Sequence, residues 1–183
     1  TIYKTTNSGI PRNSVFSIAI DNAQNKWIGT LSGLAKFDGS SWSKIGGDTN
    51  TPGQWGIGTH EGVYSLDYFG GNLYAGLGAS ANDAEVWRWN GSSWTKIGGD
   101  SLNSGWTTNY DYVYSMANDG TNLYVGLGVT AGEAEVWRWN GTIWAKVADS
   151  GSGFGTNLEM VRSLYHDGTY LYAGVGDTAA DGD

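Results

Sequence analysis

The feature that most constrains the fold of this chain is an internal repeat with a period of 50 residues. Residues 63–99 align with residues 113–149 without a gap, and 21 of the 37 positions are identical. The run Glu85–Gly91 returns unchanged as residues 135–141, and more divergent copies lie before and after this pair. A repeat of this length is one supersecondary unit that buries its apolar faces against neighbouring copies, so the unit decides the architecture.

Each unit contains four short apolar runs, which we interpret as four strands, A to D. In the second copy the runs are Val63–Tyr68, Leu73–Leu77, Glu85–Trp89 and Trp94–Ile97. Asp-Gly or Asn-Gly pairs separate A from B and C from D, as in Asp119-Gly120 and Asn140-Gly141, and such pairs favour the tight turns of β-hairpins. The pattern predicts an all-β fold, a β-propeller segment of antiparallel four-stranded blades with about 50 residues per blade.

The predicted blade boundaries leave both ends of the segment incomplete. We interpret residues 1–183 as a single propeller segment, with a lone strand D (1–7), blade 1 (15–47), blade 2 (63–99), blade 3 (113–149) and a partial blade 4 (161–176). The segment is then a piece of a longer tandem protein, which we favour, or it closes by association, or it forms a strained four-blade ring. Because unpaired strand edges recruit partner strands, we expect self-association through the incomplete terminal blades.

The composition argues against several classes of function. The chain has 18 Asp and Glu against 10 Lys and Arg, and its net charge of −8 disfavours nucleic acid and anionic membrane surfaces as partners. No apolar run approaches the roughly 20 residues of a membrane span, so membrane insertion is not expected. The chain has no cysteine, and its two histidines, His60 and His166, lack the partners of a recognisable catalytic site. We therefore predict that the protein is not an enzyme and expect no cofactor.

The long connections between strands carry the candidate ligand-binding residues. The A–B and C–D connections are minimal hairpins, whereas the D–A and B–C connections are long and should all rise on one face of the blades. Each long D–A connection presents an aromatic residue followed by an acid. The candidate ligand-binding residues are Trp55, Glu61, Trp106, Asn109, Asp111, Phe154, Asn157 and Glu159.

Two interpretations of these aromatic residues are open. An exposed ring beside polar acceptors can hold a sugar ring or a peptide side chain. Alternatively, each aromatic side chain folds back and covers the base of its own loop. The same face is acidic, which suits either Ca²⁺ or a solvated rim, and because the acids follow no known calcium loop we predict no metal site.

Taken with the composition, the loops favour a non-catalytic binding module. We expect its ligand to be neutral or cationic, with a glycan favoured. The ligand should bind on the long-loop face, because binding residues are often located on loops that a rigid scaffold positions. The alternative is a structural or protein-interaction segment of a large surface or periplasmic sensor protein.

The first blade carries the residues of a known repeat. The run Gly9–Val15, the residue Asp21, the run Trp27–Thr30 and the run Phe37–Gly39 together resemble the two-component-regulator propeller repeat. The later blades resemble the Tyr/Trp-rich repeats of bacterial extracellular propellers and, more loosely, tachylectin-like lectins. These resemblances imply an extracellular or periplasmic protein with a sensor or scaffold role, and neither family implies catalysis by these residues.

Overall fold

The protein is built from β-strands joined by turns and loops. The computed structural model describes residues 1–47, 55, 62–78, 83–99, 101–106, 110–128, 133–149, 151–154 and 158–176. This part of the chain contains 14 strands and one 3₁₀ turn at Leu102–Ser104. Among these residues no helix is long and apolar enough to cross a membrane. The predicted all-β fold is confirmed.

The strands form three four-stranded antiparallel sheets and a fourth hairpin, each following the order of the sequence. Blade 1 consists of β1 (Val15–Ile20), β2 (Lys26–Thr30), β3 (Gly33–Phe37) and β4 (Trp42–Gly46). Blade 2 consists of β5 (Gly62–Phe69), β6 (Asn72–Gly78), β7 (Glu85–Trp89) and β8 (Trp94–Gly98). Blade 3 consists of β9 (Ser115–Asn118), β10 (Leu123–Leu127), β11 (Glu135–Trp139) and β12 (Trp144–Ala148). The fourth hairpin consists of β13 (Met160–His166) and β14 (Leu171–Gly176). This arrangement is propeller-like.

The hairpin turns form where the Asp-Gly and Asn-Gly pairs predict them. Gly141 has a φ of +97°, a conformation that side chains with a Cβ rarely adopt. Just before it, the Asn140 side-chain oxygen accepts backbone N–H bonds from Thr142 and Ile143, both at 3.0 Å. The turn is therefore specified by two adjacent residues that act through different physical effects.

Neighbouring blades contact each other through their first strands, which lie side by side at the inner edge of the assembly. β1 contacts β5, β5 contacts β9, and β9 contacts β13. A serine in the first strand of blade 2 and of blade 3 bonds to the following sheet: Ser65 Oγ donates to the Val113 carbonyl at 2.8 Å and Ser115 Oγ to the Val161 carbonyl at 3.0 Å. The apolar core is divided into three clusters, one between each pair of successive blades.

The N-terminal segment differs from the prediction. Residues 1–14, all of which the structure describes, form turns and contain no strand, so the expectation of a lone strand D at residues 1–7 is wrong. Tyr3 instead packs its ring against Phe37 at 5.5 Å and Trp42 at 5.2 Å between centroids. Residues 1–7 therefore contribute an aromatic side chain that packs on blade 1 and not a paired strand.

Candidate functional site

A β-bulge interrupts the first strand of blade 1, blade 2 and the fourth hairpin at equivalent positions. In blade 1 the pairing of β1 with β2 shifts between Val15 and Ser17, so that Phe16 is the extra residue. The same shift makes Tyr64 the extra residue in blade 2 and Arg162 the extra residue in the fourth hairpin. Bulges re-aim a side chain away from the regular alternation of a strand and are common beside functional sites.

Together with two tyrosines that precede β9, the bulged residues form a continuous line across the inner strands, which we call the aromatic arc: Phe16, Tyr64, Tyr112, Tyr114 and Arg162. The rings of Phe16 and Tyr64 stack with centroids 4.8 Å apart and planes 17° apart. Tyr112 lies 4.7 Å from Tyr64 and 5.3 Å from Tyr114, and the Arg162 guanidinium lies 6.0 Å from the Tyr114 ring. The arc thus joins all four sheets.

The arc is accessible and electrostatically neutral along its tyrosines. Phe16 is 47% exposed, Arg162 is exposed, and the three tyrosines are half-buried. Burial, followed by the neighbouring Tyr112, raises the pKa of Tyr114 to about 12, although Arg162 acts in the opposite direction. Burial and a hydrogen bond with Tyr112 likewise raise the pKa of Tyr64. At neutral pH these hydroxyls are protonated and can both donate and accept hydrogen bonds.

Two of the predicted binding aromatics are not exposed. Trp55 is 1% exposed and Trp106 is 2% exposed, so at these positions the second of the two open interpretations holds, in which the ring folds back against the base of its loop. Each ring lies edge-on against a fourth-strand tryptophan of the next blade, Trp55 on Trp94 at 4.6 Å and Trp106 on Trp144 at 5.2 Å. The Trp106 indole N–H also donates to the Ala84 carbonyl at 3.1 Å. Both rings fold back as wedges between blades, because burying so large a ring is more favourable than exposing it.

Three of the other candidate residues lie apart from one another in the structure. Asp111 lies beside the arc and acts through its charge to raise the pKa of Tyr114. Glu159 is half-buried at the start of the fourth hairpin, where its backbone N–H donates to the Gly176 carbonyl at 3.2 Å. Phe154 is half-buried and lines a cavity beside blade 3. Glu61, Asn109 and Asn157 lie outside the described residues, and the ligand-binding role of the whole set stays a prediction.

The described ends of the long connections lie beside each other. The Ala84 N–H, at the end of a B–C connection, donates to the Tyr110 carbonyl in the following D–A connection at 3.0 Å. The corresponding bond between Ala134 and Leu158 is 3.2 Å. Because the D–A connections lead directly into the first strands, the aromatic arc begins at this same long-loop face.

Two of the acidic residues near this face form hydrogen bonds and ion pairs within their own blades. Glu135 accepts a bond from the Trp137 indole N–H at 2.6 Å and pairs with Lys146 at 2.9 Å. The equivalent Glu85 accepts a bond from Trp87 at 2.7 Å and pairs with Lys96. Within the described ranges no three His, Asp or Glu residues converge as a metal site would require. These carboxylates therefore fix the third and fourth strands of their own blade.

The sequence contains a signal for the arc that the lengths of the connections do not reveal. The residue after the first-strand valine is aromatic in three successive units, at Phe16, Tyr64 and Tyr114. Such a residue is placed by simple alternation on the opposite face of the strand from its neighbours. At Phe16 and Tyr64 a bulge changes this direction, and the alternation of residues along a strand does not indicate where a bulge lies.

Comparison with known proteins relates the chain to others at the level of fold. No known family and no curated protein matches the sequence. The extracellular domain of the putative hybrid two component system BT4673 from B. thetaiotaomicron matches with a TM-score of 0.62 and 16% identity over 92% of this chain. The chain spans only 20% of that domain.

Other solved structures share the fold with different roles. The computationally designed Ika4 protein matches with a TM-score of 0.57 and 11% identity, over 96% of this chain and 91% of its own. The phage phi92 endosialidase matches with a TM-score of 0.56 and 13% identity, over 88% of this chain and 30% of its own. At such identities the likeness shows the fold alone, which here occurs in the extracellular domain of a putative two component system, a designed protein and an endosialidase.

Proposed function

We propose that this propeller segment is a non-catalytic binding module that holds a neutral oligosaccharide along the aromatic arc. The observation that carries the proposal is the unbroken line of partly exposed rings from Phe16 to Tyr114 on a rigid β scaffold. Aromatic faces stack on the apolar faces of sugar rings, while the flanking hydroxyls and charged groups bond to sugar hydroxyls.

The polar groups beside the arc suit a ligand that carries no charge. Protonated tyrosine hydroxyls offer both donors and acceptors, and Arg162 and Asp111 bring opposite charges to the same end of the arc. The net charge of −8 disfavours a polyanion. A neutral glycan therefore fits better than a nucleic acid or a sulfated polysaccharide.

The extracellular location and the sensory role belong to the same proposal. Three of the structural neighbours are extracellular domains of putative two component or one component systems from B. thetaiotaomicron. A sensor of this kind must bind its ligand without consuming it. The second candidate function, a protein-interaction segment of such a sensor, draws on the same neighbours.

The test is a glycan array followed by calorimetric titration of the best neutral oligosaccharide. Tyr114→Ala should weaken binding by about tenfold, since aromatic pairs contribute about 0.5–1.5 kcal/mol beyond their area burial. Tyr114→Phe should retain most of the affinity because the ring remains. The matched control is Tyr165→Ala, which removes an exposed ring from the far side of the fourth hairpin and should leave binding unchanged.

Three outcomes would count against the proposal. Absence of binding to every neutral glycan would remove its basis. Equal affinity of wild type and Tyr114→Ala would place the ligand elsewhere on the molecule. Hydrolysis of the bound oligosaccharide during prolonged incubation would contradict the non-catalytic assignment, which matters because the endosialidase shares this fold.

A further inference from the structure

Successive blades contact each other through equivalent residues, so the contacts of one blade pair predict those of the next. The fourth-strand Trp94 of blade 2 donates its indole N–H to the Ile45 carbonyl of blade 1 at 2.9 Å. The fourth-strand Trp144 of blade 3 donates in the same way to the Ile97 carbonyl of blade 2 at 2.7 Å. Each tryptophan thus occupies a slot in the preceding blade.

The walls of the two filled slots consist of equivalent residues. In the slot that Trp94 fills they include Trp27, Leu34, Ile45, Trp55, Leu73 and Ala75. In the slot that Trp144 fills they include Tyr74, Val86, Ile97, Trp106, Leu123 and Val125. A third-strand tryptophan of the same blade packs beside each inserted tryptophan, Trp89 at 5.4 Å from Trp94 and Trp139 at 5.3 Å from Trp144.

The equivalent slot in blade 3 has the same kind of walls, but a cavity lies where the other slots hold a tryptophan. The cavity has a volume of about 370 Å³ and lies between blade 3 and the fourth hairpin. Its walls include the residues equivalent to those of the filled slots, namely Tyr124, Val136, Val147, Phe154, Leu171 and Ala173. Val147, equivalent to Ile45 and Ile97, is 41% exposed.

The strand edge beside the cavity completes the docking surface. β14 pairs with β13 on one side, and among the described residues no strand pairs with its other side. In blades 2 and 3 the equivalent strands, β6 and β10, carry β7 and β11 on that side. An unpaired edge presents a row of backbone donors and acceptors that a further strand can bond.

We propose that this surface docks a β-hairpin with the sequence of the third and fourth blade strands. Its first strand extends the sheet along β14, and two of its three tryptophans, those equivalent to Trp89 and Trp94, fill the cavity. The second-strand tryptophan donates its indole N–H to the Val147 carbonyl. The occupant is a hairpin of this chemistry because the two filled slots contain one and their walls match the open slot position by position. Phe154 then provides the edge-on aromatic contact that Trp55 and Trp106 provide in the filled slots.

The probe is a fluorescein-labelled peptide with the sequence of residues 133–149, titrated into the full chain and followed by anisotropy. We expect saturable binding with one peptide per chain. The same peptide with Trp144→Ala should bind at least about tenfold more weakly, since buried tryptophans dominate the energetics of such contacts. This comparison changes only the peptide and is independent of the folding of any chain variant.

Two chain variants locate the site on the hairpin. Ala173→Arg introduces a charge into the cavity and should abolish peptide binding. Tyr165→Arg changes the opposite face of the same hairpin, where Tyr165 is exposed, and should bind the peptide like wild type. Circular dichroism of both variants confirms that the blades are intact.

Several results would overturn the proposal. Absence of saturable peptide binding, or equal binding of the wild-type and Trp144→Ala peptides, would show that the cavity does not select this hairpin. Loss of binding in Tyr165→Arg but not in Ala173→Arg would place the peptide on the outer face. A dimer of the chain that Ala173→Arg dissociates would identify a second copy as the occupant.

Discussion

At the scale of residues, single side chains specify the turns more strongly than the strands. Asp119 closes the A–B turn of blade 3 by accepting bonds from the Asn122 N–H at 2.6 Å, the Thr121 N–H at 2.8 Å and the Tyr124 hydroxyl at 2.9 Å. Desolvation raises the pKa of Asp119, but the bonds from Asn122 and its neighbours outweigh it and lower the pKa overall. Asp167 makes the equivalent turn in the fourth hairpin with an exposed side chain.

Asp119→Ala should lower the free energy of unfolding by about 1–2 kcal/mol, because it leaves backbone donors without their charged acceptor. Asp167→Ala is the matched control and should have a smaller effect, since water can replace an exposed acceptor. The folded-state pKa of Asp119 is lowered, so its stabilisation is complete above the unfolded pKa of about 3.9 and is lost as the pH falls towards the folded value. Urea titrations of both variants at pH 7 and pH 3 measure these differences, and an equal loss for both would refute the argument.

At the scale of elements, the sequence predicted the strands well and the bulges not at all. The strands of blade 2 match their predicted runs to within one residue at each end, because the repeat and the Asn-Gly turns define them locally. The burial of Trp55 and the position of Tyr64 depend instead on how neighbouring sheets pack. The residue pattern of one strand contains no information on that packing. The sequence therefore indicated the aromatic residues of the D–A connections and not those of the arc.

The close approach of the first strands requires glycine in the second strands. A Cβ on Gly126 would lie 2.7 Å from both Cβ and Cγ1 of Val161 in the next sheet, as well as against Ser115 Oγ. A Cβ on the equivalent Gly174 would meet chiefly the Ser163 hydroxyl, which can rotate. The glycine is therefore needed where a following blade is packed against it.

Gly126→Ala should thus destabilise the protein by about 1–3 kcal/mol, the usual cost of overpacking a filled interface. Gly174→Ala should cost less than about 1 kcal/mol, since no following valine is present among its neighbours. Thermal unfolding of the two variants beside wild type provides the comparison. A larger loss for Gly174→Ala would mean that a further element packs against the fourth hairpin in the isolated chain.

At the scale of the whole molecule, the two outer sheets expose apolar faces. Blade 1 exposes Ile18 and Ile20, whose side chains alternate with Ala19 of the buried core. The fourth hairpin exposes Tyr165, Tyr170 and Tyr172 on the side away from blade 3. Faces of this kind are covered between the inner blades, and exposed contiguous apolar surface favours association.

The isolated 183-residue chain should therefore self-associate at micromolar concentration. Sedimentation velocity measures the effect, and the double variant Ile18→Asp with Ile20→Asp should shift the distribution towards the monomer. A paired change at two exposed polar positions, Ser40→Asp with Thr142→Asp, controls for the added charge. A compact wild-type monomer at all concentrations would contradict the prediction.

The central claim, that the aromatic arc is the ligand-binding surface, is tested most directly by ¹⁹F NMR of the protein labelled with 3-fluorotyrosine. Resonances are assigned by single Tyr→Phe variants, and the best neutral oligosaccharide is then titrated. We predict progressive shifts of Tyr64, Tyr112 and Tyr114, while Tyr165, Tyr170 and Tyr172 on the outer face stay unchanged. Shifts confined to the outer tyrosines, with the arc resonances unmoved at saturation, would contradict the account.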